Sequence, residues 1–408
     1  MSACWWCRQA GQLARPRATS AALRAMFERE PRQRARRLTG AAADGVRERI
    51  KPSRGRMRAL ILRPGGSLVW RSVPAPRPPG PLGAVVRPIA VATCDMDRPI
   101  ALGATPFPAP IAFGHECVAE VLTVGSDVAT VAPGDRVVVP FEISCGACPA
   151  CEAGRTANCL RVPPLSMYGF GLVGGHWGGA IADELAVPFA DGMLVPLPAA
   201  IEPAAAASVA DNVSDGYRHI GPHLPRLLAD GRESRVIVLG AVSARSLFTA
   251  SVPLFTGLIA HALGAREAIV VDARADVREQ AARLGLTAMT PAHAAKLRPA
   301  PLVADISGSP AGLRLAVSLA APDGIVSSSG MLNARAAVPT ALMFARNTTV
   351  TVARAHARAM IPSVLALMAD RRLQPERVTT LTAPIDDAPA ALAEHVAGHS
   401  TKTILTSS

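Results

Sequence analysis

The chain has 408 residues, half of them hydrophobic and only 4% aromatic, which is enough for two domains with cores of their own. No apolar run approaches the roughly 20 residues of a bilayer-spanning helix and no secretory h-region opens the chain, so the expectation is a cytoplasmic protein without a membrane partner. The formal net charge of +12 is placed unevenly, with +10 of it in residues 1–56. That head reads as a basic, disordered N-terminal extension, the alternatives being a nucleic-acid-binding or targeting segment. Trp5, Trp6, Cys4 and Cys7 lie in it and receive no role. The rest of the chain is nearly neutral, so no nucleic-acid partner is expected.

From Met57 the chain runs through short β-segments separated by Pro and Gly. "MRALILRPGGSLVW" reads as a first hairpin, followed by "AVVRPIAVAT", "CVAEVLTVGSDV" and "DRVVVPF". From about residue 199 the pattern changes. "IEPAAAASVADNVSDGYRHI" reads as helical, "RVIVLG" (235–240) as a buried strand, "PLFTGLIAHALGA" (253–265) as a helix and "AIVVDA" (268–273) as a second buried strand. "DVREQAARLGL" is a further helix, and "PLVADISG" and "GIVSSSG" are later strands. Continuous apolar strands alternating with helices point to a doubly wound parallel sheet. Beyond Thr340 a strand, a helix near 358–370 and a short β-ending are expected.

Six of the eight cysteines fall between 94 and 159, a clustering that favours metal over disulfides in a non-secreted chain. Cys145, Cys148, Cys151 and Cys159, spaced C-x2-C-x2-C-x7-C, can place four thiolates around one tetrahedral zinc at about 2.3 Å. Gly146 and Gly154 permit the reversals that wrap one short loop round an ion. An iron–sulfur cluster is the rival, but there the fourth cysteine usually follows three residues later and precedes proline. A closed four-thiolate site has no open position, so this zinc would be structural.

With "GHE" at 114–116 and "GDRVVVPF" at 134–141, the cysteine lobe resembles the medium-chain zinc alcohol dehydrogenase family from Met57 onward. The resemblance implies an α/β fold: a GroES-like β-rich catalytic domain (57–203), a Rossmann-type doubly wound domain (204–341) and a C-terminal segment (342–408) returning to the first. It implies a catalytic zinc held by Cys94 of "CDMD", His115 and Asp211, with Glu116 behind the metal and Asp97 orienting the histidine. Three protein ligands leave a fourth position for an alcohol, whose hydroxyl the metal acidifies for hydride transfer to a nicotinamide. Met96 stands where the family often has the Ser or Thr of a proton relay. Cys117 reads as core.

The nucleotide half departs from the pattern. A G-x-G-x-x-G loop is expected after its first strand, but only Gly240 is present and the loop looks several residues too long. Pro253 falls near the third glycine's place, a position that tolerates proline and could still offer amides to a pyrophosphate. Asp272, at the end of the second strand, suits a ribose diol and so favours NAD over NADP, although Arg274 and Arg278 could reach a 2′-phosphate. Arg245 is left unassigned. The expected activity is hydride exchange between an alcohol or polyol, or its aldehyde, and NAD(P); a second reading keeps fold and zinc but has lost normal dinucleotide binding. By resemblance a homo-oligomer is expected. His176 and Trp177, in "MYGFGLVGGHWGG", are possible substrate contacts.

Overall fold

The computed structural model describes residues 55–77, 80–330 and 335–407. The expected extension, with Trp5, Trp6, Cys4 and Cys7, therefore lies outside the described residues apart from its last two positions. The opening hairpin is formed by Arg56–Leu62 and Leu68–Pro74, antiparallel with Leu62 opposite Leu68, and Ile111–Ala112 adds a third strand.

The β-rich half centres on the strands Ala84–Ala92 and Glu116–Val124, which pair antiparallel in a seven-stranded sheet. Arg136–Val139 and Val195–Pro196 extend one side of it, and Leu185–Val187 pairs with Ala84–Ala92. On the other side lie Thr403–Thr406 and then Leu381–Pro384. The end of the described chain thus returns to the sheet that carries residues 84–124.

The second half is a six-stranded, wholly parallel sheet. Its spatial order is Thr287–Met289, Glu267–Val271, Arg235–Leu239, Ala300–Asp305, Ala320–Ser328 and Thr349–Val352. The chain winds outward from Arg235–Leu239 in one direction, then crosses back and winds in the other. Alternate residues feed two separate cores: Val236, Val238 and Val270 face one, while Ile237, Leu239 and Ile269 face the other. A sheet covered on both faces demands such unbroken apolar strands, which is why "RVIVL" was legible as buried. The winding reversal opens a crevice at the carboxyl ends of Arg235–Leu239 and Ala300–Asp305, where this class of fold takes its ligands.

Several segments depart from expectation. The run 201–220 is not one helix: Pro203–Ala206 and a 3-10 turn, Ala207–Ala210, precede Asn212–Ile220, and Asp211 between them sits at φ −146°, ψ −78°. The break turns the Asp211 side chain away from the helix end, which it does not cap. An unanticipated helix, Thr340–Arg346, also precedes the strand Thr349–Val352. No helix among the described residues is long and apolar enough to cross a membrane.

Helix Ser251–Ala262 joins the two halves of the core. Phe255, fully buried on it, lies 5.7 Å from the Lys402 ammonium. Phe255→Ala should destabilise the protein by about 3–5 kcal/mol, read as a lowered urea midpoint.

Candidate active site and metal centres

The four lobe cysteines fold as their spacing predicts. Cys148 precedes the single helical turn Pro149–Glu152, which carries Cys151, and the chain reverses at Gly146 and Gly154 with φ of +76° and +72°. One sulfur from each of the four residues falls within a sphere where all lie within 4.8 Å of one another. Backbone N–H groups of Cys145 and Arg161 donate to the Cys159 sulfur at 3.3 and 3.4 Å, and Leu160 N–H donates to Cys148 at 3.4 Å. Amide donors aimed at sulfur stabilise the thiolate. The Leu160 and Cys151 amides pull the Cys148 thiol down to about 6. None of the six described cysteines forms a disulfide. Thiolate-favouring amides around four converging sulfurs suit zinc.

The second cluster joins Cys94, His115, Glu116 and Asp211, again with ligand atoms within 4.8 Å of one another and all four residues buried. Cys94 comes from the turn after strand Ala84–Ala92, and His115 precedes strand Glu116–Val124. Asp211 comes from the break before helix Asn212–Ile220. The Asp211 Oδ2 lies 3.3 Å from both the Cys94 sulfur and His115 Nε2. Both ring nitrogens of His115 are buried without a hydrogen-bond partner. Burial, and then the carboxylates of Asp211, Glu116 and Asp97, push the Cys94 thiol far up. A thiol, an unsatisfied imidazole and carboxylates crowded out of water form a donor set that a divalent cation would reconcile. Asp97 faces His115 Nδ1 at 3.9 Å, beyond hydrogen-bond reach, while its other oxygen accepts the Cys94 N–H at 2.9 Å. It therefore fixes the cysteine turn more directly than the histidine ring.

Glu116 is held by a residue that sequence reasoning passed over. The Lys402 ammonium, fully buried, donates to Glu116 at 2.8 Å, to Asn212 Oδ1 at 2.8 Å and to the Thr93 carbonyl. Its three protons meet three acceptor groups, which suits a compact ammonium better than a planar guanidinium. Burial pushes the Glu116 carboxyl well up, and Lys402 opposes that rise only in part. Asn212 completes the network by donating from Nδ2 to the Cys94 sulfur at 3.2 Å and to Asp211 at 3.1 Å. The signal was available in composition: Lys occurs at 51, 296 and 402 alone, against 40 Arg, so each lysine stands out.

The space before His115 is walled by aromatic rings. Phe170 and Phe141 have ring centroids 4.8 and 5.8 Å from the imidazole, and Phe107 meets Phe170 edge-on at 4.9 Å. Phe170 belongs to the glycine-rich segment expected near substrate. Gly169, at φ +77°, lets this segment approach so closely that an added Cβ would lie 2.7 Å from the Gly114 carbonyl. Within this segment Phe170, which the sequence did not single out, packs against the His115 ring.

In the cofactor crevice, Gly240 ends the first parallel strand against Asp272, and Arg278 donates to the Asp272 carbonyl at 2.9 Å. The Asp272 carboxylate accepts from the Ala241 and Arg274 amides and pairs with the Arg274 guanidinium at 2.8 Å. Arg274 also donates to the Phe248 carbonyl at 2.6 Å, binding the long 241–250 loop to the strand end. Free amides were expected at the following helix start. The Ser251 and Val252 amides instead donate to Asp95 at 2.9 and 3.1 Å.

Residues 80–199 match the family of alcohol dehydrogenase GroES-like domains. A probable zinc-binding alcohol dehydrogenase of Mycobacterium tuberculosis is 32% identical over 339 residues, which cover 81% of this chain and 83% of that one. The chain belongs to the zinc-binding alcohol dehydrogenase family. The solved structure of an alcohol dehydrogenase from Thermus sp. ATN1 is 30% identical, with a TM-score of 0.77 over 86% of this chain and all of that one. A zinc-binding dehydrogenase from Sinorhizobium meliloti bound to NADP, 23% identical with a TM-score of 0.67 over 86% of this chain and 99% of its own, shares the fold.

In this dehydrogenase a further carboxylate lies behind the site. Glu142 is buried, accepts the Ala357 N–H at 3.1 Å, and has Arg354 no nearer than 3.8 Å. Burial pushes its carboxyl from 4.5 up to about 7, against the pull of Arg354. A raised folded-state value means that folding takes up a proton between those two values, so stability falls as pH rises through about 7. Glu142→Gln should leave stability nearly unchanged at pH 4.5 and raise it by up to about 3 kcal/mol at pH 8, measured by urea unfolding at both values. Lys402→Met strands Glu116 without its cation and should cost about 3–5 kcal/mol, seen in the same unfolding experiment.

Proposed function

We propose that this chain is an NAD(P)-dependent oxidoreductase. It exchanges hydride between a small alcohol or polyol and the nicotinamide at a zinc site of Cys94, His115 and Asp211. The observation that carries the reading is the convergence of one thiol, one imidazole with both nitrogens unsatisfied, and the Asp211 carboxylate at one dry point beside the crevice. Zinc there would supply Lewis-acid polarisation of the alcohol or carbonyl oxygen. The nicotinamide ring supplies the hydride acceptor or donor.

The chain's own residues do the rest. Asp97 holds the Cys94 turn, and Asn212 donates to the Cys94 sulfur and so orients the thiolate. Lys402 keeps Glu116 behind the cluster and neutralises part of its charge. Phe107, Phe141 and Phe170 exclude water from the reacting face and favour a substrate with a small or apolar body. Met96 has no exchangeable proton, so the substrate's proton leaves by a route other than position 96. The four-cysteine lobe would hold a second zinc through Cys145, Cys148, Cys151 and Cys159, and four thiolate ligands would suit a structural role. Asp272, already paired with Arg274 and two backbone amides, does not by itself choose between NAD and NADP.

Metal analysis should give two zinc per chain. In Cys94→Ser it should give one, with turnover of an alcohol panel lost and the unfolding midpoint little changed. Cys148→Ser should also lose one zinc but lower the unfolding midpoint sharply. The reverse pattern would exchange the two roles, and wild-type protein with no turnover on any alcohol with NAD or NADP would sink the reading.

A further inference from the structure

The helix that follows the first parallel strand of the nucleotide half has an unusual start. The first four N–H groups of an α-helix have no partner within it, and in doubly wound folds these amides and the loop before them hold the diphosphate of a dinucleotide. Helix Ser251–Ala262 has Ala250 at its N-cap, which has no side-chain acceptor. The Ser251 and Val252 amides donate to Asp95 Oδ1 and Oδ2 at 2.9 and 3.1 Å. Pro253 has no N–H, and Leu254 N–H is already bonded to the Ala250 carbonyl at 3.3 Å. The first turn therefore offers a diphosphate no free amide.

Asp95 is not a local cap. It lies more than 150 residues earlier, next to the metal-site residue Cys94, and reaches across from the other half of the chain. Two hydroxyls reinforce its hold: Thr249 and Ser251 donate to Oδ1 at 2.6 and 2.5 Å. The carboxylate is buried. Around it the crevice is closed by the chain itself. Arg274 neutralises Asp272 and ties down the Phe248 carbonyl, and the Phe248 ring sits where a Cβ on Gly308 would lie 3.0 Å away.

We propose that Asp95 is a built-in anion that holds the diphosphate position of the crevice, so that NAD or NADP binds only by displacing it. The inference rests on the dehydrogenase reading above. A dinucleotide carries two negative phosphates to a helix start already occupied by a fixed negative charge. It must either draw the Cys94–Asp95 turn away or bind against that charge. The apparent dissociation constant is the intrinsic one divided by the fraction of molecules with Asp95 withdrawn. Because Asp95 adjoins Cys94, its withdrawal also shifts the metal-site turn, which couples cofactor entry to the geometry of the ligand cluster.

The test is titration of the full-length, zinc-loaded protein with NADH and NADPH, following nicotinamide fluorescence. Asp95→Ala should bind about tenfold or more tightly than wild type, as expected if Asp95 holds the crevice at least nine times in ten. Asp95→Asn should bind more tightly by a smaller factor. Thr249→Val keeps the carboxylate but removes one of its donors, so it should move in the same direction and serves where the buried Asp95 change impairs folding. If Asp95 instead helps to bind the cofactor by clamping the two halves, the same variants bind more weakly, which overturns the proposal. Unchanged affinity, or no binding by wild type and all variants at millimolar dinucleotide, overturns it as well. Unaltered affinity with alcohol turnover intact removes only the role of Asp95, whereas absence of turnover with every dinucleotide removes the dehydrogenase reading.

Discussion

The ammonium of Lys402 touches Glu116, Asn212 and the Thr93 carbonyl at once, and the metal-site geometry depends on that contact. Glu116 lies on a central strand of the β-rich sheet, Asn212 begins the helix that enters the nucleotide half, and Thr93 immediately precedes Cys94. Lys402 itself adjoins the strand Thr403–Thr406. One buried charge thus fixes three remote segments relative to each other. Burying a charge is costly unless its partners are numerous and well placed, and here every ammonium proton is used. The cost is offset at the carboxylate, which would otherwise be an uncompensated anion beside three other acidic groups.

A consistent division runs through the molecule. The metal half gathers acceptors and thiols around one point, with both nitrogens of His115 unsatisfied. The cofactor half is the opposite, since its donors are already in use. Asp272 is saturated by Arg274 and backbone amides, and the helix start is saturated by Asp95. The seam between the two is built from neighbours in sequence that face different ways. Cys94 turns to the metal cluster and Asp95 to the helix start, and Asp211 turns to the metal cluster while Asn212 links it to Lys402 and Ser251.

Local spacing carried most of what was legible in the sequence. The cysteine lobe spans only 15 residues, so its four sulfurs were legible from spacing, while the second cluster was implied by the resemblance that "GHE" and "CDMD" carry. The buried strands were legible because a doubly covered sheet requires unbroken apolar runs. Asp211 was legible as a candidate ligand but not as a helix break, because the cysteine and histidine it faces lie far away in sequence. Lys402, Asn212 and Asp95 were missed for the same reason. Each acts over 100 residues or more, and a single polar residue in a strand or turn gives no period to read. The altered glycine loop was visible as an irregularity, but what fills the space was not, since the filling group comes from the other half of the chain.

The position of Lys402 also sets an order of events during synthesis. Domains generally begin to fold as they leave the ribosome, N-terminal parts first. The segments that carry Cys94, His115 and Glu116 emerge with the first third of the chain, and the cysteine lobe is complete by residue 159. The counter-charge for Glu116, and the strand Thr403–Thr406 that pairs with Ala84–Ala92, arrive only after the whole nucleotide half has been made. The lobe can therefore close around its ion early, while the neighbouring cluster stays an unbalanced knot of acid until translation has passed residue 402. The fold thus gives the two ligand clusters different birthdays.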